Sequence, residues 1–231
     1  SYSGASRDHL VEQMLPVEVW GKTAFVVPYP TPASGARDVA GRDFARIIAG
    51  ADSCSVWING RFTARLQAGE IYDFPISTEA SIVTSEPSAV LGYKASGPNF
   101  QGAIGDPFLA AIPPAEQFLT RYRFVCVQGT QPLSGRTEPA FQEHYVSIVV
   151  PTTKATTVVL DGSPVSMNTF QPIPNTGYSY ANIPLFEGAH SVQADTAFGV
   201  TVMGYGRANS YGYIGGQRFE RDLRPPEIVA R

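Results

Sequence analysis

The chain contains two stretches of similar sequence pattern, and this internal repeat constrains its fold more than any other feature. Residues 8–27 read DHLVEQMLPVEVWGKTAFVV, and residues 106–125 read DPFLAAIPPAEQFLTRYRFV. The stretches align without a gap, and the shared positions are Asp8, Pro16, Glu18 and Val27, which recur as Asp106, Pro114, Glu116 and Val125. Either a proline-rich composition produces this match by chance, or the chain holds two copies of one structural unit.

Later landmarks decide between these alternatives. The matching pieces are Ile58-Asn59-Gly60 with Leu160-Asp161-Gly162, Gly69 and Tyr72 with Gly177 and Tyr180, and Gly92-Tyr93 with Gly204-Tyr205. Their order never changes and their offset only grows, as loop insertions in a second copy would produce. The sequence therefore predicts two copies, residues 8–95 and 106–216, joined by residues 96–105. Residues 1–7 are interpreted as the leader of an excised fragment, and residues 217–231 as a C-terminal extension.

Short alternating runs of β-branched and aromatic residues dominate both copies, and helical periodicity is scarce. The amphipathic stretch RDHLVEQML ends at Pro16 and predicts one short helix. Elsewhere, runs such as RYRFVCV and YVSIVV are separated by Gly, Pro, Asn and Asp every eight to twelve residues or so, which is typical of an all-β protein. Asn59-Gly60 and Asp161-Gly162 are the residue pairs that two-residue hairpins prefer. We therefore expect two tandem β-sandwich-like repeats, packed together, with at most short helices.

Composition excludes several classes of function. The net charge of −3 is spread along the chain without a basic block, which gives no support to nucleic-acid binding. No apolar run is long enough to insert into a membrane. Cys54 and Cys126 are the two cysteines, and they lack the spacing of a metal site. Two alternatives remain for them, a pair of buried thiols or one disulfide between the repeats.

The recurring residues of the entry stretch have structural and chemical interpretations. Asp8 is better explained as a helix N-cap than as a metal ligand beside His9 and Glu12, because only the aspartate recurs. Glu18 and Glu116 could act as a catalytic acid and base, as in glycoside hydrolysis, but duplication explains their recurrence without catalysis, and the preferred interpretation is that each accepts hydrogen bonds within its own repeat. Trp20 and its counterpart Phe118 are expected to anchor the two cores. No cofactor or metal is expected, although Asp-rich loops of a β-sandwich can chelate calcium.

Residues 204–216, GYGRANSYGYIGG, form the strongest candidate for a binding loop. Tyrosine offers a flat apolar face with a hydroxyl, while Asn and Arg add directional donors, and recognition loops use this mixture repeatedly. We therefore predict that Arg207, Asn209, Tyr211 and Tyr213 bind a ligand. The alternative is a closing loop whose tyrosines pack against the end of the second repeat.

The full set of landmarks resembles one family. The pieces DHLVEQMLPVEVWGK, VWING, LQAGEIYDF, GDPFLAAIPPAEQFL, HYVSIVV, VVLDGSPV and GAHSVQADTAFGVTVMGYG run in order along nearly the whole chain. In this order they resemble the N-terminal domain family of IgGFc-binding proteins, which recurs in bacterial surface and secreted proteins. The resemblance implies an extracellular binding module without catalytic apparatus.

We therefore expect an extracellular or cell-surface adhesion module, not an enzyme, that is part of a longer parent chain. Its partner would be a cell-surface glycan or protein, recognised through loops. The alternative is a structural spacer or assembly domain, and a carbohydrate-active enzyme comes third. A spacer would present polar loops, whereas an adhesion module would cluster exposed aromatic side chains at one end.

Overall fold

Antiparallel β-strands make up nearly all of the fold. The computed structural model describes residues 9–32, 43–95, 104–133 and 135–220. Within these ranges the helical elements are four short 3-10 turns, and the rest is strands and their connections. The prediction of an all-β chain with at most short helices is confirmed.

The first sheet is built from seven strands. They are β1 (Gly21–Val26), β2 (Phe44–Ala49), β3 (Cys54–Ile58), β4 (Arg61–Leu66), β5 (Ile71–Pro75), β6 (Ala80–Lys94) and β7 (Phe108–Ile112). Their order is β4-β3-β6-β2-β5, and β1 and β7 also pair with the long strand β6. β7 lies within the stretch predicted to start the second repeat, yet it pairs with the first sheet.

Ten further strands follow. They are β8 (Leu119–Cys126), β9 (Thr130–Leu133), β10 (Arg136–Pro139), β11 (Glu143–Pro151), β12 (Val159–Leu160), β13 (Ser163–Pro164), β14 (Gln171–Ile173), β15 (Tyr178–Leu185), β16 (Gly188–Gly206) and β17 (Asn209–Ile214). β9 and β10 form a separate ribbon, and the others form the second sheet in the order β13-β12-β16-β11-β15-β14. Here β8 and β17 also pair with the long strand β16.

The two sheets share one strand order. β4-β3-β6-β2-β5 of the first sheet corresponds to β13-β12-β16-β11-β15 of the second, with β1 and β7 corresponding to β8 and β17. In each sheet the long strand changes partners along its length; β16 pairs first with β8 and then with β17. Each sheet therefore curls around its own core, and the two curled sheets pack together.

The two predicted hairpin turns occupy matching places beside the long strands. Asn59 and Gly60 have φ values of 52° and 74°, and Asp161 and Gly162 have values of 49° and 80°. Both central residues of a type I′ turn need positive φ, which Asn-Gly and Asp-Gly adopt with little strain. These turns join β3 to β4 and β12 to β13, which are corresponding strands.

The units contact each other through different faces. The first unit contributes the outward side of β1, where Phe25 is 3% exposed and stacks on Tyr178 of β15 with ring centroids 4.4 Å apart. The second unit contributes the outward sides of β11 and β15, and Asn182 Nδ2 donates a hydrogen bond of 3.0 Å to Pro28 O. Phe118 and Val149 complete this apolar contact. Because the two faces are not equivalent, this contact is asymmetric, while the corresponding strands β7 and β17 also lie against each other.

Three sequence-based expectations concern the entry stretch of each repeat, and the structure does not fully support any of them. Residues 9–16 form no helix, because a stretch of about two turns that ends at a proline is too short to be stable as a helix on its own. Asp8, its predicted cap, lies outside the described residues. Phe118 is buried at 3% exposure, but it lies in the contact between the units rather than in the core of the second unit. Trp20 is half-buried and donates from Nε1 to Leu15 O at 2.9 Å, so the two residues are not equivalent core anchors.

The cysteines are free thiols in separate cores. Cys54 belongs to the core of the first unit, and Cys126 belongs to that of the second. Of the two alternatives that the sequence leaves open, buried thiols therefore describe the structure.

Candidate binding surface

An exposed strand face in the second unit carries two arginine side chains. From Arg121 to Cys126, β8 alternates strictly between solvent and core. The inward residues are Tyr122, Phe124 and Cys126, and the outward residues are Arg121, Arg123 and Val125. Because side chains alternate across a strand, both guanidinium groups project from the same side of the sheet.

Neighbouring strands extend this surface, which we call the arginine face. It consists of the outward side chains of β8, β16 and β12: Arg121, Arg123, Val125, Ala189, Ser191, Gln193 and Val159. Arg121 lies opposite Gln193, and Arg123 lies opposite Ser191. Two adjoining depressions of about 280 Å³ and 410 Å³ both contact Arg123 and Ser191. The small side chains of β16 therefore leave an open trough beside the arginines.

The charge of the arginine face is not neutralised within the part of the chain that the structure describes. There, neither Arg121 nor Arg123 has a carboxylate within ion-pair distance. By contrast, Arg46 Nη2 lies 2.8 Å from Asp73 Oδ2 on the first unit. Two unpaired guanidinium groups beside a trough favour an anionic ligand, because guanidinium binds carboxylate, sulfate and phosphate groups through paired hydrogen bonds.

One end of the trough is fixed by the turn between β12 and β13. Asp161 Oδ2 lies 2.6 Å from His190 Nδ1, and Asp161 Oδ1 accepts a hydrogen bond of 2.8 Å from Ser191 N. Burial alone would raise the pKa of the Asp161 carboxyl, but the hydrogen bonds from His190 and Ser191 outweigh it and hold that pKa below its usual range. The turn is thus tied to β16 at the residues that line the trough.

The arginine face has a counterpart in the first unit that is covered. β1 and β8 align without a gap, so that Phe25 corresponds to Arg123 and Gly21 to Leu119. The outward side of β1 is buried against the second unit through Phe25, whereas Arg121 and Arg123 on the outward side of β8 are exposed. The same face thus serves as an internal interface in one unit and as an open charged surface in the other.

Residues 204–216 form a β-hairpin rather than the recognition loop that the sequence predicts. β16 and β17 pair from Thr201 opposite Ile214 to Gly206 opposite Asn209. The turn falls at Arg207 and Ala208, where a φ of 52° at Ala208 reverses the chain. Glycine and tyrosine resemble loop residues in sequence, but here Gly204 makes room for the ring of Tyr211 on the neighbouring strand.

The two tyrosines of this hairpin hydrogen-bond to the free edge of β8. Tyr211 Oη accepts from Val127 N at 3.1 Å and lies 2.9 Å from His144 Nδ1. Tyr213 Oη accepts from Val125 N at 3.1 Å and donates to Val125 O at 2.6 Å. Burial raises the pKa of both phenols. These contacts favour the structural alternative, while the ligand-binding role of the hairpin stays a prediction.

The other two predicted residues lie near the hairpin turn. Arg207 Nη1 is 3.5 Å from Glu138 Oε1, and Arg207 O accepts a hydrogen bond from Gln131 Nε2 at 2.9 Å. Asn209 is the first residue of β17 and is partly buried. The structure thus brings the four predicted residues onto one hairpin, with Arg207 already engaged by the β9–β10 ribbon.

The recurring glutamates have different roles. Glu116 accepts hydrogen bonds from the backbone of β1, at 3.0 Å from Lys22 N and 3.4 Å from Thr23 N. Burial raises the pKa of the Glu116 carboxyl, although these donors act in the opposite direction. Glu18 is exposed. The carboxylate of Glu116 thus joins the two units, whereas the sequence-based interpretation places its hydrogen bonds within its own repeat.

The remaining candidates offer no second site. Glu12 Oε2 accepts a hydrogen bond from Ala111 N at 3.2 Å. Among the described residues, no three His, Cys, Asp or Glu side chains converge as metal ligands would. A cavity beside Trp20 measures about 40 Å³, which is too small for a drug-sized ligand. No helix in the described ranges is long and apolar enough to cross a membrane.

Sequence reasoning did not single out Arg121 and Arg123, although a signal for them exists. The stretches KTAFVV and TRYRFV align residue by residue, and both differences to arginine fall on one alternating face of the strand. A charge introduced twice on one face of a repeated strand indicates that this face has a different environment in the second copy.

The fold and the surface define the class: an all-β protein of two packed, curled units with an open trough rather than an enclosed pocket. The chain belongs to the IgGFc-binding protein family, whose model matches residues 1–204. It is 28% identical over 214 residues to the human (Homo sapiens) IgGFc-binding protein, which covers 88% of this chain. The chain corresponds to 4% of the length of that relative.

Solved structures resemble the chain only distantly. The apo form of Pleurotus ostreatus lectin covers 94% of this chain and 89% of its own at 11% identity, with a TM-score of 0.18. A β-D-glucuronidase of Dictyoglomus thermophilum covers 90% of this chain and 45% of its own at 13% identity, with the same score of 0.18. Scores at this level carry no argument about fold or function.

Proposed function

We propose that the chain is an extracellular binding domain that recognises an anionic partner through the arginine face. Recognition requires no catalysis, and the family to which the chain belongs is a family of binding proteins. The contact surface is thus a face of the β-sheet, whereas the sequence predicts contact through loops. It keeps the adhesion role that the sequence suggests, in which the partner is a protein or glycan on another surface.

The observation that carries the proposal is the contrast between β1 and β8. If both units used this strand in the same way, its outward face would be buried in both. The face would then be apolar in the second unit as it is in the first. Instead Phe25 is buried, while Arg123 is exposed beside an open trough. Arginine is enriched where surfaces meet partners, because its planar group combines charge with stacking area.

Among the residues that the structure describes, exposed aromatic side chains do not mark an alternative surface. Phe62 lies on β4 of the first unit, Phe186 between β15 and β16, and Phe219 near the end of the described chain. They are therefore spread over different parts of the molecule rather than clustered at one end. Charge, not aromatic content, distinguishes the arginine face.

The relative supplies the first probe, since its name states that it binds the Fc region of IgG. Immobilised human Fc fragment and an array of neutral and anionic glycans would be tested with the wild-type chain and with the Arg121→Ala/Arg123→Ala variant. We expect the variant to lose the binding that the wild type shows to any of these probes. The loss should be about tenfold or more, because hydrogen bonds to charged groups are removed.

A matched control removes the same charge elsewhere. Arg61→Ala/Arg65→Ala acts on two exposed residues of β4 in the first unit and should leave binding unchanged. Equal binding by both double variants would contradict the proposal, as would a wild-type chain that binds neither Fc nor any glycan. The latter result would support the spacer alternative, for which the apolar contact between the units is the favouring observation.

A further inference from the structure

We propose that the trough of the arginine face binds an anionic polysaccharide, a chain whose sulfate or carboxylate groups recur along its length. This inference rests on the proposed function and names the ligand class for the same surface. It follows from three properties of the face: its local charge, its shape and the residue that stands at the edge of β8.

Local charge selects an anionic ligand. The whole chain has a net charge of −3, so its overall charge would repel an anion. Attraction must therefore come from a local group of positive charges. Arg121 and Arg123 nevertheless concentrate two positive charges on one strand face, with no ion pair among the described residues. Their α-carbons are two residues apart on a strand, about 6.6 Å, so that one polymer chain can contact both.

The edge of β8 argues against a second copy of the chain as the occupant. At the internal interface, Pro114 and Glu116 of the second repeat lie close to Gly21 of β1. A β-carbon on residue 21 would overlap both of them. The corresponding residue of β8 is Leu119. The leucine side chain packs against the core of its own unit, but a second copy docking in the manner of the internal interface would still overlap the β-carbon of Leu119. This position therefore disfavours that docking mode for a second copy.

The shape of the trough suits an extended, polar chain. It runs beside Ser191 and Gln193, whose side chains can exchange hydrogen bonds with sugar hydroxyls. The exposed Ala189 and Ser191 keep its floor low, and its two adjoining depressions of about 280 Å³ and 410 Å³ are open to solvent along the sheet. Phe25, the apolar side chain that holds a flat protein face on the first unit, is replaced here by Arg123.

The test compares four defined polymers. Heparin, dextran sulfate, neutral dextran and poly-glutamate would be titrated into the full chain at low salt by calorimetry. We expect binding of heparin and dextran sulfate, and none of dextran. Arg121→Ala/Arg123→Ala should weaken that binding about tenfold or more, while Arg61→Ala/Arg65→Ala should leave it unchanged. Both arginines to be replaced are exposed, so unchanged thermal unfolding would show that the variant is folded.

The outcomes separate this inference from the function on which it rests. Poly-glutamate bound more tightly than the sulfated polymers would overturn the polysaccharide in favour of an acidic protein. Sulfated polymers bound equally by both double variants, or not at all, would also overturn it. If Fc binding still depends on Arg121 and Arg123 in those cases, the arginine face remains the binding surface and only the ligand class fails.

Discussion

At the scale of single residues, the same amino acid serves different purposes in the two units. Glu18 and Glu116 occupy matching positions in the repeat, yet Glu18 is exposed, while Glu116 is partly buried and bonded to a neighbouring strand. The recurrence could be predicted from sequence. The difference could not, because it depends on which unit supplies each face of the asymmetric contact between the units.

This difference predicts unequal stability effects. Glu116→Ala should lower the free energy of unfolding by about 1–3 kcal/mol, because two backbone donors of β1 lose their buried acceptor. Glu18→Ala is the matched control and should change it by less than about 0.5 kcal/mol. Chemical denaturation of both variants measures the difference. Equal losses would show that Glu116 does not support β1.

At the scale of elements, local turn chemistry could be predicted and long-range pairing could not. Asn59-Gly60 and Asp161-Gly162 form the expected hairpins because the need for positive φ is encoded in the residues themselves. The segment from Gly204 onwards looked like a loop, since its glycines and tyrosines are typical of one. Its strand structure comes from pairing with β16 and from hydroxyl contacts to β8, which no local pattern reveals.

The tyrosine hairpin can be tested with a substitution that removes only the hydroxyl groups. Tyr211→Phe/Tyr213→Phe should cost about 1 kcal/mol or more, because the free edge of β8 loses its hydrogen-bond partners. Binding by the arginine face should persist. Differential scanning calorimetry and a binding assay on the same sample measure both. An unchanged melting temperature together with lost binding would restore the hairpin as the ligand site.

At the scale of the whole molecule, the sequence predicts two all-β units and the structure shows how they are joined. The common strand order supports the proposal that the chain arose by duplication. What the repeat could not reveal is that the outward side of the first strand is covered in one unit and open in the other. That difference follows from Phe25 and Arg123, whose environments depend on packing between units rather than on position in the repeat.

An NMR titration of the isotopically labelled chain, with whichever of Fc fragment and sulfated polymer binds, would locate the contact surface residue by residue. We predict that the amide signals of Arg121, Arg123 and Ser191 shift, while those of Tyr211 and Tyr213 move little. Shifts centred on the tyrosine hairpin, with the arginine face unchanged, would contradict the account.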